Sequence, residues 1–104
     1  MAKFILAYHG GKIPETEEES ARVMDAWGSW MGSLGTALID GGHPVGLSTT
    51  VLPGGRVEDN GGANPLSGYS LIEADNTDAA VAYAKKCPIL EDDGSVEIAE
   101  CFDM

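Results

Sequence analysis

The pattern of apolar and polar positions along the chain predicts two strand–helix–strand halves. Residues Phe4–Tyr8 are apolar at every position, which predicts a first strand with both faces buried. A long helical stretch follows, and the β-branched residues of 45–52 predict the second strand. Residues 64–75, 77–86 and 95–100 then predict a strand, a helix and a strand. We therefore expect one α+β domain over residues 1–104, ferredoxin-like in its βαββαβ order, with an antiparallel sheet.

The first helix is expected to run from Thr16 to about Ile39. Thr16 and Glu19 fit a capping box, and Gly41-Gly42 fits a helix C-cap. Spacings of three and four predict one broad apolar face that packs on the sheet. That face contains Val23, Trp27, Trp30, Leu34 and Ala37, flanked by Met24, Met31 and Leu38.

Three glycines fall on one side of this helix, at Gly28, Gly32 and Gly35. Each costs about 1 kcal/mol relative to alanine in a helix interior, so their alignment needs a reason. One explanation is close approach by another backbone or subunit. The other is room for a ligand beside Trp27 and Met31.

An extra hairpin is expected between the second and third main strands. The turn sequence Pro53-Gly54-Gly55 separates the 45–52 run from a short return strand at 56–58. Residues 59–65 then form a polar loop rich in Asn and Gly.

The charge balance narrows the classes of partner. Six Lys and Arg oppose seventeen Asp and Glu, a formal net charge of −11. Such a field repels nucleic acid and anionic membrane surfaces, so we expect neither as a partner. The N-terminal apolar stretch is too short for a signal-peptide core or a membrane span, which predicts a cytoplasmic protein. In that compartment Cys87 and Cys101 are expected to be free, buried thiols.

Motifs for metals and cofactors are absent from the sequence. No pair of His or Cys residues has a metal-ligand spacing, and the acidic turn Glu91–Gly94 lacks the pattern of a calcium loop. Phosphate-binding glycine motifs and the GxSxG motif are also missing. We expect no metal and no cofactor.

The candidate catalytic residues are His9 and Asp59. His9 follows the first strand and precedes Gly10-Gly11, where it could act as an acid or base near neutral pH, with Asp59 or Asn64 orienting a substrate. The alternative is a histidine that anchors a loop. If the hairpin folds over the sheet, polar and aromatic residues would meet in a pocket for a small molecule. The expected substrate-binding residues are Trp27, Trp30, His43, Asn64, Ser67 and Tyr69.

The C-terminal part of the chain carries a family resemblance. Residues 68–74, Asp78-Ala79-Ala80, Cys87-Pro88 and 94–98 resemble the YCII-related, or DGPF-type, domain family. The resemblance implies a dimeric α+β barrel, in which two ferredoxin-like subunits place their sheets face to face. Family members carry a histidine on the first helix paired with an aspartate. The first helix here has no histidine, so that pair is not carried over.

These observations predict a homodimer that binds a small organic metabolite between sheet and helix, with possible acid–base catalysis that needs no cofactor. The alternative is a non-catalytic interaction or sensing module that uses the glycines of the first helix as its contact surface.

Overall fold

A four-stranded antiparallel sheet carries two helices on one face in the computed structural model, which describes residues 1–104. The main elements, in chain order, are β1 (Ala2–His9), α1 (Glu17–Leu34), β2 (Leu38–Asp40), β3 (Thr50–Val51), β4 (Val57–Glu58), β5 (Leu66–Ala74), α2 (Thr77–Ala84) and β6 (Ser95–Cys101). Short 3₁₀ helices lie at Gly35–Ala37 and Pro88–Asp92. The predicted α+β class and antiparallel sheet are confirmed.

The strand order in the main sheet is β2-β5-β1-β6. Helix α1 connects β1 to β2, and β5 lies between those two strands. Helix α2 likewise connects β5 to β6, with β1 between them. This split arrangement is compatible with the expected ferredoxin-like order.

The second sheet strand was predicted in the wrong place. It is Leu38–Asp40, which the sequence pattern assigned to the end of the first helix, and not residues 45–52. The helix ends at Leu34 because Gly35 takes a positive φ of 56° and its N–H bonds to the carbonyl of Gly32. Gly41-Gly42 therefore does not cap the helix.

The expected hairpin exists but is small. Strands β3 and β4 pair only with each other, in a two-stranded sheet of their own. The Pro53-Gly54-Gly55 turn is confirmed, since the Gly55 N–H donates to the Leu52 carbonyl at 2.9 Å. Residues 44–45 instead extend the β2 edge, where Pro44 bridges to Gly68.

The core lies between the inner face of the sheet and the two helices. Strands β1 and β5 bury alternate residues there, and helices α1 and α2 cover them. The largest contributors are Phe4, Leu6, Tyr8, Trp30, Leu34 and Ile72. The indole N–H of Trp30 donates to the carbonyl of Tyr83 at 3.1 Å, which links α1 to α2.

Both helices begin at the predicted caps. The Thr16 hydroxyl accepts from the Glu19 N–H at 3.1 Å, and the Glu19 carboxylate accepts from the Glu15 N–H at 3.0 Å. Asn76 caps α2 by accepting from the Ala79 N–H at 2.8 Å. These bonds satisfy amide groups that a helix start would otherwise leave without partners.

The outer face of the sheet is not covered within the chain. The side chains of Ile5, Ala7, Tyr69 and Leu71 alternate with the core residues and are only half-buried. The chain itself therefore buries one face of β1, and burial of the other face, which is expected from the sheet of a second subunit, stays a prediction. The molecule is also flat, with extents of 43 × 42 × 18 Å, because it has one sheet and one helix layer.

The exposed area is large for a chain of this mass. The accessible surface is 7209 Å², whereas a closed monomer of the same mass exposes roughly 5,600 Å². The radius of gyration is 14.9 Å, compared with about 13 Å for a compact domain of this length.

Gly28 and Gly32 have no close neighbour in the chain. A Cβ atom built at either position would meet nothing within 4 Å. No other part of the chain therefore packs against these two glycines, and both are open to contact from outside the chain. None of the helices combines the length and the hydrophobicity that a membrane span requires.

Candidate functional site

A cavity of about 410 Å³ lies between α1 and the end of the sheet where β1 finishes and β5 starts. Its wall is formed by α1, the loop after β2, both strand ends and the 3₁₀ helix before β6. The residues that line it are Tyr8, Val23, Met24, Trp27, Met31, Gly41, Gly42, His43, Pro44, Ser67, Gly68, Tyr69 and Ile89. None of them carries a permanent charge.

Helix α1 presents two different apolar surfaces. Trp30 and Leu34 are buried in the core, while Met24, Trp27 and Met31 line the cavity at spacings of three and four. The Trp27 ring packs edge-to-face against Tyr8, with ring centroids 5.0 Å apart, and against Trp30 at 5.7 Å. These contacts hold the Trp27 ring between the core and the cavity.

The loop after β2 forms the opposite wall. The Asp40 carboxylate accepts from the Gly42 N–H at 2.8 Å, which tightens the turn. Gly42 has a φ of 70°, and a Cβ atom there would overlap the carbonyl oxygen of Tyr69. Only glycine allows this loop to pack directly on β5. The loop in turn holds His43 at the cavity, with its ring edge-to-face against Tyr69.

A chain of hydrogen bonds runs from the cavity wall into the sheet. The Tyr8 hydroxyl donates to the Ser70 oxygen at 2.7 Å. The Ser70 hydroxyl donates to the carbonyl oxygen of Gly41 at 2.8 Å. Because a carbonyl oxygen can only accept, the Ser70 proton points to Gly41 and the Tyr8 proton points to Ser70.

Burial keeps two acidic groups near this region in their neutral forms. It raises the pKa of the Tyr8 hydroxyl to about 12, although the hydrogen bond to Ser70 opposes the shift. Burial likewise raises the pKa of the Cys87 thiol to about 11. Cys87 is therefore protonated at neutral pH, which fits the expected inert thiol. Cys101 is also free and is half-buried.

Both raised pKa values predict a loss of stability at alkaline pH. The unfolded chain gives up these protons at lower pH than the folded chain, so the free energy of unfolding falls as pH rises from about 9 through about 12. We expect a decrease of about 2–4 kcal/mol between pH 8 and pH 11, measured by urea unfolding. Cys87→Ala should flatten the first part of this decline. Equal stability at pH 8 and pH 11 would contradict the burial argument.

The structure brings together four of the predicted binding residues and separates the others from them. Trp27, His43, Ser67 and Tyr69 line the cavity. Trp30 belongs to the core and is 5% exposed. The lining does not include His9, Asp59 or Asn64.

His9 is held outside the cavity by acceptors on both ring nitrogens. Nε2 lies 2.9 Å from a carboxylate oxygen of Glu97, and Nδ1 lies 3.1 Å and 3.2 Å from the backbone carbonyls of Asn64 and Pro65. These bonds tie the end of the polar loop to β1 and β6. His9 therefore anchors a loop, as the alternative to a catalytic role expected. Asn64 takes part through its backbone. Asp59 is exposed and its side chain makes no hydrogen bond or ion pair.

Several lining residues were not identified as site residues from the sequence. Met24 is predicted only as a flank of the packing face, whereas Met31 is named beside a ligand in one explanation of the helix glycines. The spacing of both residues about Trp27 is the signal that places all three on one cavity wall. The Gly41-Gly42 pair was interpreted as a helix cap. Tyr8, Gly68 and Ile89 carry no local signal that distinguishes a cavity wall from a core.

No group of three or more His, Cys, Asp or Glu residues is placed to hold a metal ion. Comparison with protein-family models and with curated proteins finds no match for this chain.

Proposed function

We propose that this protein is a homodimer of the YCII-related, ferredoxin-like type that binds a small organic metabolite in the cavity between α1 and the sheet. The observation that carries the proposal is the cavity itself, an apolar space of about 410 Å³ with a few polar groups on its wall. Ligand sites in proteins are typically concave, largely apolar and about 300–1,000 Å³ in volume. A cavity at the lower end of that range fits a small molecule.

The polar groups of the wall allow limited chemistry. His43 is the only histidine in the lining, and histidine is the side chain that exchanges protons near neutral pH. Acid–base catalysis without a cofactor would therefore fall to His43 in this cavity. His9 is the weaker candidate because both of its ring nitrogens are occupied outside the lining.

The outer sheet face supports the homodimer. Ile5, Ala7 and Leu71 form an apolar strip that no element of the chain covers, and Tyr69, which contacts the His43 ring, borders it. A second copy placed sheet to sheet would cover this strip with the same surface, as a two-fold interface requires. The excess exposed area, roughly 1,600 Å² per chain, is in the range that one subunit buries in an obligate dimer.

One observation favours the alternative, a non-catalytic interaction module. The open surface over Gly28 and Gly32 would let a partner backbone approach α1 closely. That alternative needs no ligand in the cavity, so a ligand screen separates the two proposals.

The test is a thermal-shift screen of the purified protein against neutral aromatic and alicyclic compounds, phenols, lactones and carboxylic acids. A ligand at a hundred times its Kd should add about 2.7 kcal/mol, or roughly 10 °C in Tm. Met24 is 74% exposed at the cavity wall, so its replacement should leave the fold intact. Met24→Glu should weaken binding at least about tenfold because it brings a charge to an apolar site.

Met24→Leu is the matched control and should bind as the unmodified protein does, because it keeps the apolar wall. A screen without any hit would reject the cavity as a binding site and favour the interaction module. Equal loss of binding in both variants would show that Met24 acts through its shape.

A further inference from the structure

We propose that the cavity selects neutral aromatic molecules that carry a hydrogen-bond donor, phenols being the simplest case, and that the Tyr8 oxygen accepts this hydrogen bond. This inference rests on the proposed function and names the chemical class of its ligand.

The direction of the hydrogen-bond chain defines Tyr8 as an acceptor. Gly41 offers only a carbonyl oxygen, so the Ser70 hydroxyl must donate to it. The Ser70 oxygen is then the acceptor for the Tyr8 proton. The Tyr8 hydroxyl has no proton left for a ligand, whereas its oxygen keeps a free lone pair. A ligand that donates an O–H or N–H matches this group, and a ligand that only accepts does not.

The charges around the cavity exclude anions. No Lys or Arg is among the lining residues, and the chain as a whole has a net charge of −11. A carboxylate or phosphate in this space would lose hydration, and the lining offers it no ammonium or guanidinium group and only one imidazole, that of His43. The ligand must therefore be uncharged where it is enclosed.

The apolar part of the wall favours an aromatic body. Trp27 presents a half-buried ring surface that is fixed by its edge-to-face contact with the buried Tyr8 ring. Met24 and Met31 lie beside them on α1, and methionine sulfur packs favourably against aromatic rings. The two flexible methionine side chains can also adjust to the outline of a flat ligand.

The experiment compares three probes that share one ring system, by calorimetric titration at pH 7. 2-Naphthol is a neutral donor, 2-methoxynaphthalene is a neutral acceptor of similar shape, and 2-naphthoate is an anion. We expect 2-naphthol to bind about 3- to 10-fold more tightly than its methyl ether, the range that one net hydrogen bond gives. 2-Naphthoate should bind most weakly. These comparisons use the unmodified protein, so they do not depend on whether a variant folds.

Two substitutions test the assignment to Tyr8. Tyr8→Phe removes the acceptor and should abolish the preference for naphthol over its ether, while the ether binds as before. Ser70→Ala removes the group that takes the Tyr8 proton, which leaves the hydroxyl free to donate. The preference should then decrease by a factor of about three or more, or reverse in favour of the ether. Circular dichroism and thermal unfolding check that each variant keeps its fold.

The outcomes separate this inference from the proposed function. If none of the three probes binds and the ligand screen also finds no hit, the proposed function fails. If the probes bind but the ether or the anion binds as tightly as naphthol, the cavity is a ligand site and the inference on ligand class is overturned. A preference for naphthol that persists in Tyr8→Phe would overturn the role of Tyr8.

Discussion

Replacing Gly42 with alanine is expected to destabilise the protein by about 3–5 kcal/mol and to abolish ligand binding in the cavity. Gly42 has a φ of 70°, which costs a non-glycine residue roughly 1 kcal/mol or more. The added Cβ atom would also overlap the Tyr69 carbonyl oxygen, so the loop must move away from β5. That movement displaces His43 and breaks its backbone bond with Tyr69, 3.3 Å long in the structure. Urea unfolding and the thermal-shift screen measure the two effects.

The matched control is Gly62→Ala. Gly62 has a similar φ of 75°, but a Cβ atom there would meet nothing within 4 Å. Gly62→Ala should therefore lower the free energy of unfolding only by the backbone strain, about 1 kcal/mol, and should keep the cavity intact. Equal destabilisation by both substitutions would mean that the close approach of the loop to β5 contributes nothing.

Replacing Leu71 with glutamate is expected to dissociate the proposed homodimer, raising its Kd at least about 100-fold. Leu71 lies at the centre of the uncovered face, opposite Ile5 on the neighbouring strand. In a two-fold interface the substitution introduces two carboxylates, each of which must be desolvated without a partner. Sedimentation equilibrium across a concentration series measures the dissociation directly.

Leu47→Glu is the control for added negative charge. Leu47 is fully exposed in the irregular segment after β2 and lies outside the main sheet. Its replacement should leave the association unchanged. If the unmodified protein is a monomer at micromolar concentration, the sheet-to-sheet dimer is rejected whatever the variants do.

The elements that the sequence predicted well have a strong local signal. Strands β1 and β5 are long, and Thr16 and Asn76 lie at helix starts where their side chains cap the backbone. The Pro53-Gly54-Gly55 turn was also identifiable, because each of these residues restricts or frees the backbone in a known way. Such features depend on neighbours in the sequence and not on the tertiary fold.

Strand β2 could not be predicted in the same way. It has three residues, follows the helix almost directly, and exists because β5 offers it a free edge. The residues of 45–52 have the composition of a strand, but only Thr50 and Val51 form one, while Val45 adds a single hydrogen bond to Ser67. Strand preference without a pairing edge does not define a strand.

The site depended even more on tertiary placement. Tyr8, Trp27, His43 and Gly68 are far apart in the sequence and meet only because β1 and β5 pair while α1 folds back over them. A helical period cannot separate Trp27 from Trp30, since both belong to the apolar side of α1. The structure separates them by what each ring faces, which is the open cavity for Trp27 and helix α2 for Trp30.

This difference between the two tryptophans gives the protein an internal optical reporter. Trp27 borders the cavity, whereas Trp30 is enclosed and bonded to the Tyr83 carbonyl. A molecule that enters the cavity changes the polarity around the Trp27 indole directly and reaches Trp30 only through the contact between the two rings. The intrinsic emission of the unlabelled protein therefore carries a signal that responds to occupancy of the cavity.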